Sequence, residues 1–298
     1  MGQPKGDARL SRTGMRIAAA LGVIVATLLF HAWVSAGFPL AITRLTAAEE
    51  VCSLESRLAA SADRRWLVTT WIQGWQIGDG CKSQGDAVMR WTTEGAGQSG
   101  WSESIAFPLP SGTCAVHADA AVNGSEAHVA VTYWAPCYDA DADSGILYYR
   151  CNLADGSCTT GETAVAVSGA LDRRLSDVRV VIGQDTQPHI VYAVGTSGLA
   201  AGDIMYTHRE GSWQSPVKVS TGDKYGGFYR PVAAASNGRI HIAWERHRDR
   251  YDNINRIHYR GDVQYAFCKE SSGDCVSPIT YWYPPNLTID STYPIPDI

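Results

Sequence analysis

The chain has 298 residues, of which 18% are charged, and its formal net charge is -5. This weakly acidic balance argues against a general nucleic-acid binder, and the sequence contains no Gly-rich phosphate loop or dinucleotide fingerprint. Tryptophan and tyrosine are abundant, at 10 and 14 residues against 5 phenylalanines, which is typical of a soluble all-β domain.

The first 51 residues have the pattern of a targeting segment. Residues 1–16 form a basic region predicted to stay in the cytoplasm, with positive charges at Lys5, Arg9, Arg12 and Arg16. The apolar stretch 17–40 predicts either a signal peptide, cleaved after Ala36, or an uncleaved signal-anchor helix long enough to span the membrane. In both cases 41–51 are a linker, and the remaining chain lies outside the cytoplasm, secreted or anchored to the cell membrane.

A short phrase then recurs at nearly constant spacing. Its copies occupy 85–89, 144–148, 202–206 and 261–265, and read Gly-Asp-Ala-Val-Met, Ser-Gly-Ile-Leu-Tyr, Gly-Asp-Ile-Met-Tyr and Gly-Asp-Val-Gln-Tyr. Their starts are 59, 58 and 59 residues apart. Runs that alternate at period two, such as 127–134 and 239–244, accompany each phrase and indicate half-buried strands. The sequence therefore predicts four copies of one unit of four antiparallel strands.

Tandem four-stranded units favour a β-propeller over a β-sandwich. We predict an all-β propeller over 52–298, preceded by the N-terminal signal or anchor helix. The predicted blades are 54–109, 114–168, 175–221 and 229–281. Residues 282–298 resemble the start of a further blade, so we hypothesise that the chain is truncated. A ring closed by four blades is the alternative, because an open ring would expose an unpaired edge.

The eight cysteines fall into four predicted disulfides. The pairs are Cys52 with Cys81, Cys114 with Cys137, Cys151 with Cys158, and Cys268 with Cys275. The last two pairs flank the same turn in the second and fourth units, and each of the others joins the segment entering a unit to the loop after its second strand. Such bridges indicate an oxidising compartment. A Cys-rich zinc site is not indicated, because no Cys-x-x-Cys pair occurs.

The long loops and the connectors between units are predicted to share one functional face. The loop of unit four and its neighbouring connector combine arginines with aromatic rings, which suits an anionic glycan; a solvated, salt-bridged loop is the alternative. The candidate ligand-binding residues are Arg230, Arg246, Arg173, Arg174, Tyr225 and Tyr251. The candidate acid and base groups are Glu245, His247, Asp249 and Tyr229. His117 and Asp177 lie in other connectors and could join Arg230 around a central pocket.

The equivalent loop of unit two contains Asp139, Asp141 and Asp143. Alternating carboxylates can converge on one calcium ion, and a solvated acidic turn is the alternative. The glycine at 145 comes one place later than in the usual calcium loop. Calcium is the only cofactor that the sequence suggests.

Phrases such as Ile-His-Ile-Ala-Trp at 240–244 and Gly-Ser-Trp-Gln-Ser-Pro at 211–216 resemble those of the bacterial sialidase-like propellers, the BNR or Asp-box family, over 52–298. The resemblance implies a propeller fold. Sialidases of that family use three arginines, a Tyr-Glu pair and an Asp acid/base. Tyr229-Arg230-Pro231 is similar to the motif that supplies their first arginine, whereas no turn here matches the Asp-box pattern.

Two functions from different classes follow. The first is an extracytoplasmic propeller that binds a glycan or protein ligand through its loop-rich face. The second is a sialidase-like glycoside hydrolase, which needs paired acids, or a polysaccharide lyase, in which Tyr or His removes a proton beside an arginine-neutralised uronate. The sequence favours binding, with no nucleic-acid partner and with membrane contact only through an uncleaved N-terminal segment.

Overall fold

The computed structural model describes residues 51–77, 80–93, 100–137, 143–167, 174–195, 202–221, 226–251 and 257–281. These residues form strands and turns and contain no α-helix, and none of them belongs to a helix able to span a membrane. Three predicted segments lie outside the described residues. They are the signal or anchor helix, the linker as far as residue 50, and the start of a further blade at 282–298.

Four units of antiparallel strands follow one another along the chain. Unit one contains β1 (Val51–Ala60), β2 (Trp66–Ile77), β3 (Gly80–Thr93) and β4 (Ile105–Ala106). Unit two contains β5 (Cys114–Asn123), β6 (Glu126–Ala135), β7 (Asp143–Asn152) and β8 (Glu162–Val167). Unit three contains β9 (Arg174–Ile182), β10 (Pro188–Gly195), β11 (Asp203–Glu210), β12 (Ser212–Trp213) and β13 (Val217–Lys218), the last two both pairing with β11. Unit four contains β14 (Gly226–Ser236), β15 (Arg239–Tyr251), β16 (Ile257–Lys269) and β17 (Ile279–Tyr281).

The predicted all-β class and four-stranded antiparallel sheets are confirmed. In units one, two and four each strand pairs with the next one in sequence, and in unit three β9 to β11 do so while β12 and β13 both pair with β11. Tight turns close the hairpins; in the turn between β14 and β15, Asn237 and Gly238 have φ angles of 53° and 68°, which suits an Asn-Gly hairpin turn. A single residue pair, Gly85 with Ala115, joins the sheets of units one and two.

The hydrophobic core lies between neighbouring units. Val68 and Ile72 of unit one pack with Val129 and Tyr149 of unit two. A second cluster joins unit two to unit three, and a third joins unit three to unit four. The first strands of the units, β1, β5, β9 and β14, pack on one another in that order. We call them the inner strands. Among the described residues, no comparable packing joins β14 to β1.

Three of the predicted disulfides are confirmed. The Cα atoms of Cys114 and Cys137 are 5.3 Å apart. The two hairpin bridges, Cys151 with Cys158 and Cys268 with Cys275, have Cα separations of 4.0 and 3.9 Å. The side chains of Cys52 and Cys81 lie outside the described part of the chain. Three disulfides indicate a protein that folds in an oxidising, extracytoplasmic compartment.

Candidate functional site

The inner strands share a structural irregularity at the end where the site forms. In β1, β9 and β14 two residues bulge opposite a single residue of the neighbouring strand. The first residue of each bulge, Glu55, Asp177 or Arg230, has a φ angle of 52°, 47° or 50°. Positive φ costs energy in residues other than glycine and persists where the surrounding structure enforces it. Bulges of this kind often redirect side chains toward functional sites.

These bulges surround a pocket of about 650 Å³, which we call the axial pocket. Its lining comes from units one, three and four. Three arginines and three acids contribute, namely Arg57, Arg179, Arg230, Glu55, Asp177 and Glu245. The remaining lining residues are Ser56, Val232, Ala243, Trp244 and Val263. The pocket therefore combines both charge signs with an apolar wall.

Glu55 is a strongly perturbed acid at the axial pocket. Its Oε2 atom lies 3.4 Å from Nη2 of Arg57 and 3.7 Å from Nδ1 of His117, which belongs to unit two. The interaction with His117 is the main cause that lowers the pKa of Glu55 to about 2, against the opposing effect of partial burial. The carboxylate is therefore ionised at neutral pH.

Asp119, which is buried, and Arg179, which lines the pocket, interact as opposite charges. Burial raises the pKa of Asp119, and the nearby Arg179 and a hydrogen bond from the Val180 N–H, at 2.9 Å, act in the opposite direction. Burial lowers the pKa of Arg179, while Asp119 favours its charged form. Buried opposite charges stabilise each other's ionised forms. Asp119 therefore favours the charged form of Arg179 at the pocket.

Unit four supplies the exposed cation and the aromatic wall. Arg230 is exposed, whereas the Trp244 side chain is buried. The indole N–H of Trp244 donates to Oε1 of Gln264 at 3.1 Å, which fixes the ring orientation. The wall is therefore rigid, and the Arg230 guanidinium is accessible to a ligand.

The structure brings two of the predicted candidates, Arg230 and Glu245, into the axial pocket. Arg246 is buried within β15. His117 contacts Glu55 at the edge of the pocket, and Asp177 lines it. The other candidates lie outside the described side chains; these are Tyr229, His247, Asp249, Arg173, Arg174, Tyr225 and Tyr251.

Sequence reasoning missed Glu55, Arg57, Asp119 and Arg179. The strand register in the structure relates Arg57 and Arg179 to His117, because each of the three is the first paired residue after the irregularity in its inner strand. The sequence signal was a polar residue at this position in units one, two and three, and the strand register is needed to recognise it.

The structure gives the predicted calcium site no support. Across the described ranges, no group of three or more His, Cys, Asp or Glu side chains could hold a metal ion. Asp143 is exposed at the start of β7. Asp139 and Asp141 lie outside the described residues.

A second pocket, of about 560 Å³, lies at the hairpin-turn ends of units one and two, away from the bulges. Its lining is Arg65, Trp66, Thr93 and Ser125. It contains one charged side chain and no acid, so the axial pocket is the better candidate for a functional site.

Replacing Glu55 with glutamine should flatten the acid end of the pH-stability profile. Because the folded pKa of Glu55 is lowered from 4.5 to about 2, its contribution is present above the unfolded pKa and is lost as the pH falls through that interval. Urea unfolding of both proteins at several pH values within the interval measures this. The E55Q protein should lose less stability than wild type, and Glu103→Gln, an exposed control, should follow wild type. Parallel profiles for E55Q and wild type would contradict the prediction.

The sequence matches no protein-family profile and no curated protein sequence. The fold is similar to that of the GH93 α-L-arabinofuranosidase of Fusarium graminearum in complex with arabinobiose, with a TM-score of 0.54, 11% identity and coverage of 78% of this chain and 68% of that one. It is also similar to an ulvan lyase of polysaccharide lyase family PL25 bound to -[GlcA(1-4)Rha3S]-, with a TM-score of 0.51, 12% identity and coverage of 76% and 55%. A third similar structure is the Trypanosoma rangeli sialidase in complex with DANA, with a TM-score of 0.50, 10% identity and coverage of 80% and 40%.

At these identities the likeness shows the fold alone. It supports the predicted sialidase-like, propeller-type architecture. The chain spans 68%, 55% and 40% of the lengths of these three structures.

Proposed function

We propose that this protein binds an anionic glycan, a saccharide with a carboxylate or sulfate group, in the axial pocket outside the cytoplasm. The observation that carries the proposal is that Arg57, Arg179 and Arg230, from three different units, line one pocket. Arginine matches the planar geometry of carboxylate and sulfate groups through paired hydrogen bonds.

The shape and the remaining lining fit a saccharide. A volume of about 650 Å³ lies within the range of small-ligand sites. The three carboxylates, Glu55, Asp177 and Glu245, can accept hydrogen bonds from sugar hydroxyl groups, while the guanidinium groups take the anionic substituent. The pocket thus offers carboxylates that accept hydrogen bonds from sugar hydroxyl groups and guanidinium groups that donate hydrogen bonds to the anionic substituent.

The comparisons support a glycan-related role at the level of the fold. The three similar structures are two glycoside hydrolases and a polysaccharide lyase, as their names state. The resemblance to sialidases implies a cluster of three arginines, and this pocket contains three arginines from separate units. The disulfides support a location outside the cytoplasm, with the N-terminal segment serving as export signal or anchor.

Neither Glu55 nor Asp119 is suited to act as the proton-donating acid of a glycosidase. A glycosidase needs a carboxylic acid that donates a proton at its working pH. Glu55 is ionised, because its pKa is lowered to about 2. Asp119 has a raised pKa, but its side chain is buried and accepts a hydrogen bond from Val180.

A uronate lyase is the second candidate function. The supporting observation is that His117 lies beside Glu55, which in turn contacts Arg57. In this mechanism the Arg57 guanidinium would neutralise the uronate carboxylate and His117 would take the adjacent carbon-bound proton. The electron pair left behind would form a carbon-carbon double bond as the neighbouring glycosidic C–O bond breaks, and the departing sugar oxygen would take up a proton. Incubation with polyuronates tests it through the ultraviolet absorbance of the unsaturated product, and an absent signal would favour binding alone.

A matched panel of oligosaccharides tests the proposed binding. Isothermal titration with uronate-bearing, sulfated and neutral oligosaccharides of equal length should show binding of the anionic members alone. Affinity should fall as salt is added, because the ion pairs are screened. Equal binding of the neutral oligosaccharide, or no binding by any member, would contradict the proposal.

A further inference from the structure

The inner strands of units one and three carry the same pair of opposite charges at their bulges. In β1, Glu55 begins the bulge and Arg57 is the first paired residue after it, and in β9 Asp177 and Arg179 occupy the equivalent positions. Both acids have positive φ angles, of 52° and 47°, and all four residues line the axial pocket. Units one and three therefore present an acid and an arginine to the pocket in the same local geometry.

The two arginines differ in the acid that engages them. Nη2 of Arg57 lies 3.4 Å from Oε2 of Glu55, the acid of its own bulge. Arg179 interacts instead with Asp119 of unit two, which favours its charged form, and donates from Nη1 to the Val178 carbonyl at 2.9 Å. Arg57 thus holds a carboxylate that lines the pocket, whereas the acid beside Arg179 is buried.

Glu55 is held as an anion by groups from two units. Nδ1 of His117, from unit two, lies 3.7 Å from the same Oε2 atom that Arg57 contacts. The interaction with His117 is the main cause that lowers the pKa of Glu55 to about 2, and Arg57 acts in the same direction. The Glu55 side chain is nevertheless 41% exposed. It can therefore turn into solvent without leaving a buried, unsatisfied carboxylate.

We propose that Glu55 is a built-in competitor of the ligand: its carboxylate occupies an anion site formed by Arg57 and His117, and the anionic group of the glycan binds there by displacing it. This inference rests on the proposed binding of an anionic glycan in the axial pocket. A neutral saccharide has no charged group that can replace a carboxylate beside these two side chains. Glu55 therefore lowers the affinity for every ligand of this site and selects those that carry an anion.

Replacing Glu55 with glutamine tests this role, because glutamine has nearly the same shape and no charge. In titration calorimetry, E55Q should bind a uronate-bearing oligosaccharide about tenfold more tightly than wild type, since one guanidinium becomes available for charge-assisted hydrogen bonds. Glu55→Asn, whose side chain suits a positive φ, should show the same increase. Wild-type or weaker affinity in both variants, with wild-type circular dichroism spectra, would overturn the proposal and would mean that Glu55 positions Arg57 for the ligand.

The increase in affinity must depend on Arg57. A double-mutant cycle measures this dependence. The affinities of R57A and of the double variant E55Q/R57A should agree within about twofold, because exposed charges that are not in contact interact weakly. A tenfold increase that persists without Arg57 would refute a competition for its guanidinium.

Asp177→Asn is the matched control for the loss of one negative charge. Asp177 begins the equivalent bulge in β9 and lines the same pocket, and asparagine also tolerates its positive φ. D177N should not reach the affinity of E55Q, because the partner of Arg179 is Asp119. Equal increases in E55Q and D177N would indicate a general effect of charge and would rule out the competitor role.

A measurement on the wild-type protein needs no substitution. The carboxyl ¹³C signal of Glu55 should move toward that of a solvated carboxylate when the uronate-bearing oligosaccharide is added, because the ligand then takes its place beside Arg57 and His117. An unchanged signal at saturating oligosaccharide would show that the carboxylate is not displaced.

Inorganic sulfate separates this inference from the proposed glycan binding. Sodium sulfate, added at constant ionic strength, should shift the imidazole NMR signals of His117 at a lower concentration in E55Q than in wild type. If no oligosaccharide binds but sulfate shows this difference, the glycan proposal fails and the role of Glu55 stands. If oligosaccharides bind wild type and E55Q equally, the glycan proposal stands and the role of Glu55 fails.

Discussion

Replacing Arg230 with alanine should weaken binding of a uronate-bearing oligosaccharide by about 10- to 100-fold. A hydrogen bond to a charged group contributes about 1.5 to 3 kcal/mol, and each 1.4 kcal/mol corresponds to about tenfold in affinity. Arg230 is exposed at the axial pocket and forms no ion pair with a described residue. Its loss should therefore remove ligand contacts without leaving a buried acid unpaired. Titration calorimetry of R230A and wild type with one oligosaccharide measures the change.

The matched control is Arg150→Ala. Arg150 is an exposed arginine of β7 whose Nε atom lies 3.9 Å from Glu126, and it does not line the axial pocket. Its replacement should leave the affinity within about twofold of wild type, since an exposed ion pair contributes little. Equal affinities for R230A and wild type would show that Arg230 does not contact the ligand, while equal losses in both variants would indicate a non-specific effect of charge.

Replacing Trp244 with alanine should destabilise the protein by about 3 to 5 kcal/mol, which is the usual cost of removing a buried tryptophan. The Trp244 side chain is 2% exposed and belongs to the core between units three and four. The change leaves a cavity there and removes the donor to Gln264. For a protein of this size, each kcal/mol corresponds to about 2 to 4 °C in Tm. Thermal unfolding followed by circular dichroism measures the effect.

Val217→Ala provides the control for the tryptophan variant. Val217 is 43% exposed in β13, so its truncation should change stability by about 0.5 kcal/mol or less. A Tm for W244A that matches that of V217A would mean that Trp244 is not part of a packed core. The position of this side chain in the wall of the axial pocket would then be wrong as well.

The repeat made most of the fold predictable. Alternating apolar residues identified the strands of each unit, because a strand with one buried face repeats every two residues. The equal spacing of Cys151 with Cys158 and of Cys268 with Cys275 predicted two hairpin disulfides that the structure contains. Both signals are local, so a single sequence displays them directly.

The axial pocket was predictable only in part, because its geometry depends on bulges. His117, Asp177 and Arg230 could be placed near the centre from their position in the connectors. Glu55 could not, since its interaction with His117 requires β1 and β5 to be neighbours in a known register. A bulge, in which two residues of one strand face a single residue of its neighbour, cannot be recognised from the pattern of apolar residues. The pocket therefore became visible only with three-dimensional register.

The most direct test of glycan binding in the axial pocket is a crystal structure of the protein with the tightest-binding oligosaccharide of the panel. We expect difference density for the anionic group within hydrogen-bond distance of Arg230 and of Arg57 or Arg179, with the sugar ring against Val232, which is exposed at the pocket. Density for the oligosaccharide at another surface, with the three arginines free of ligand, would contradict this account.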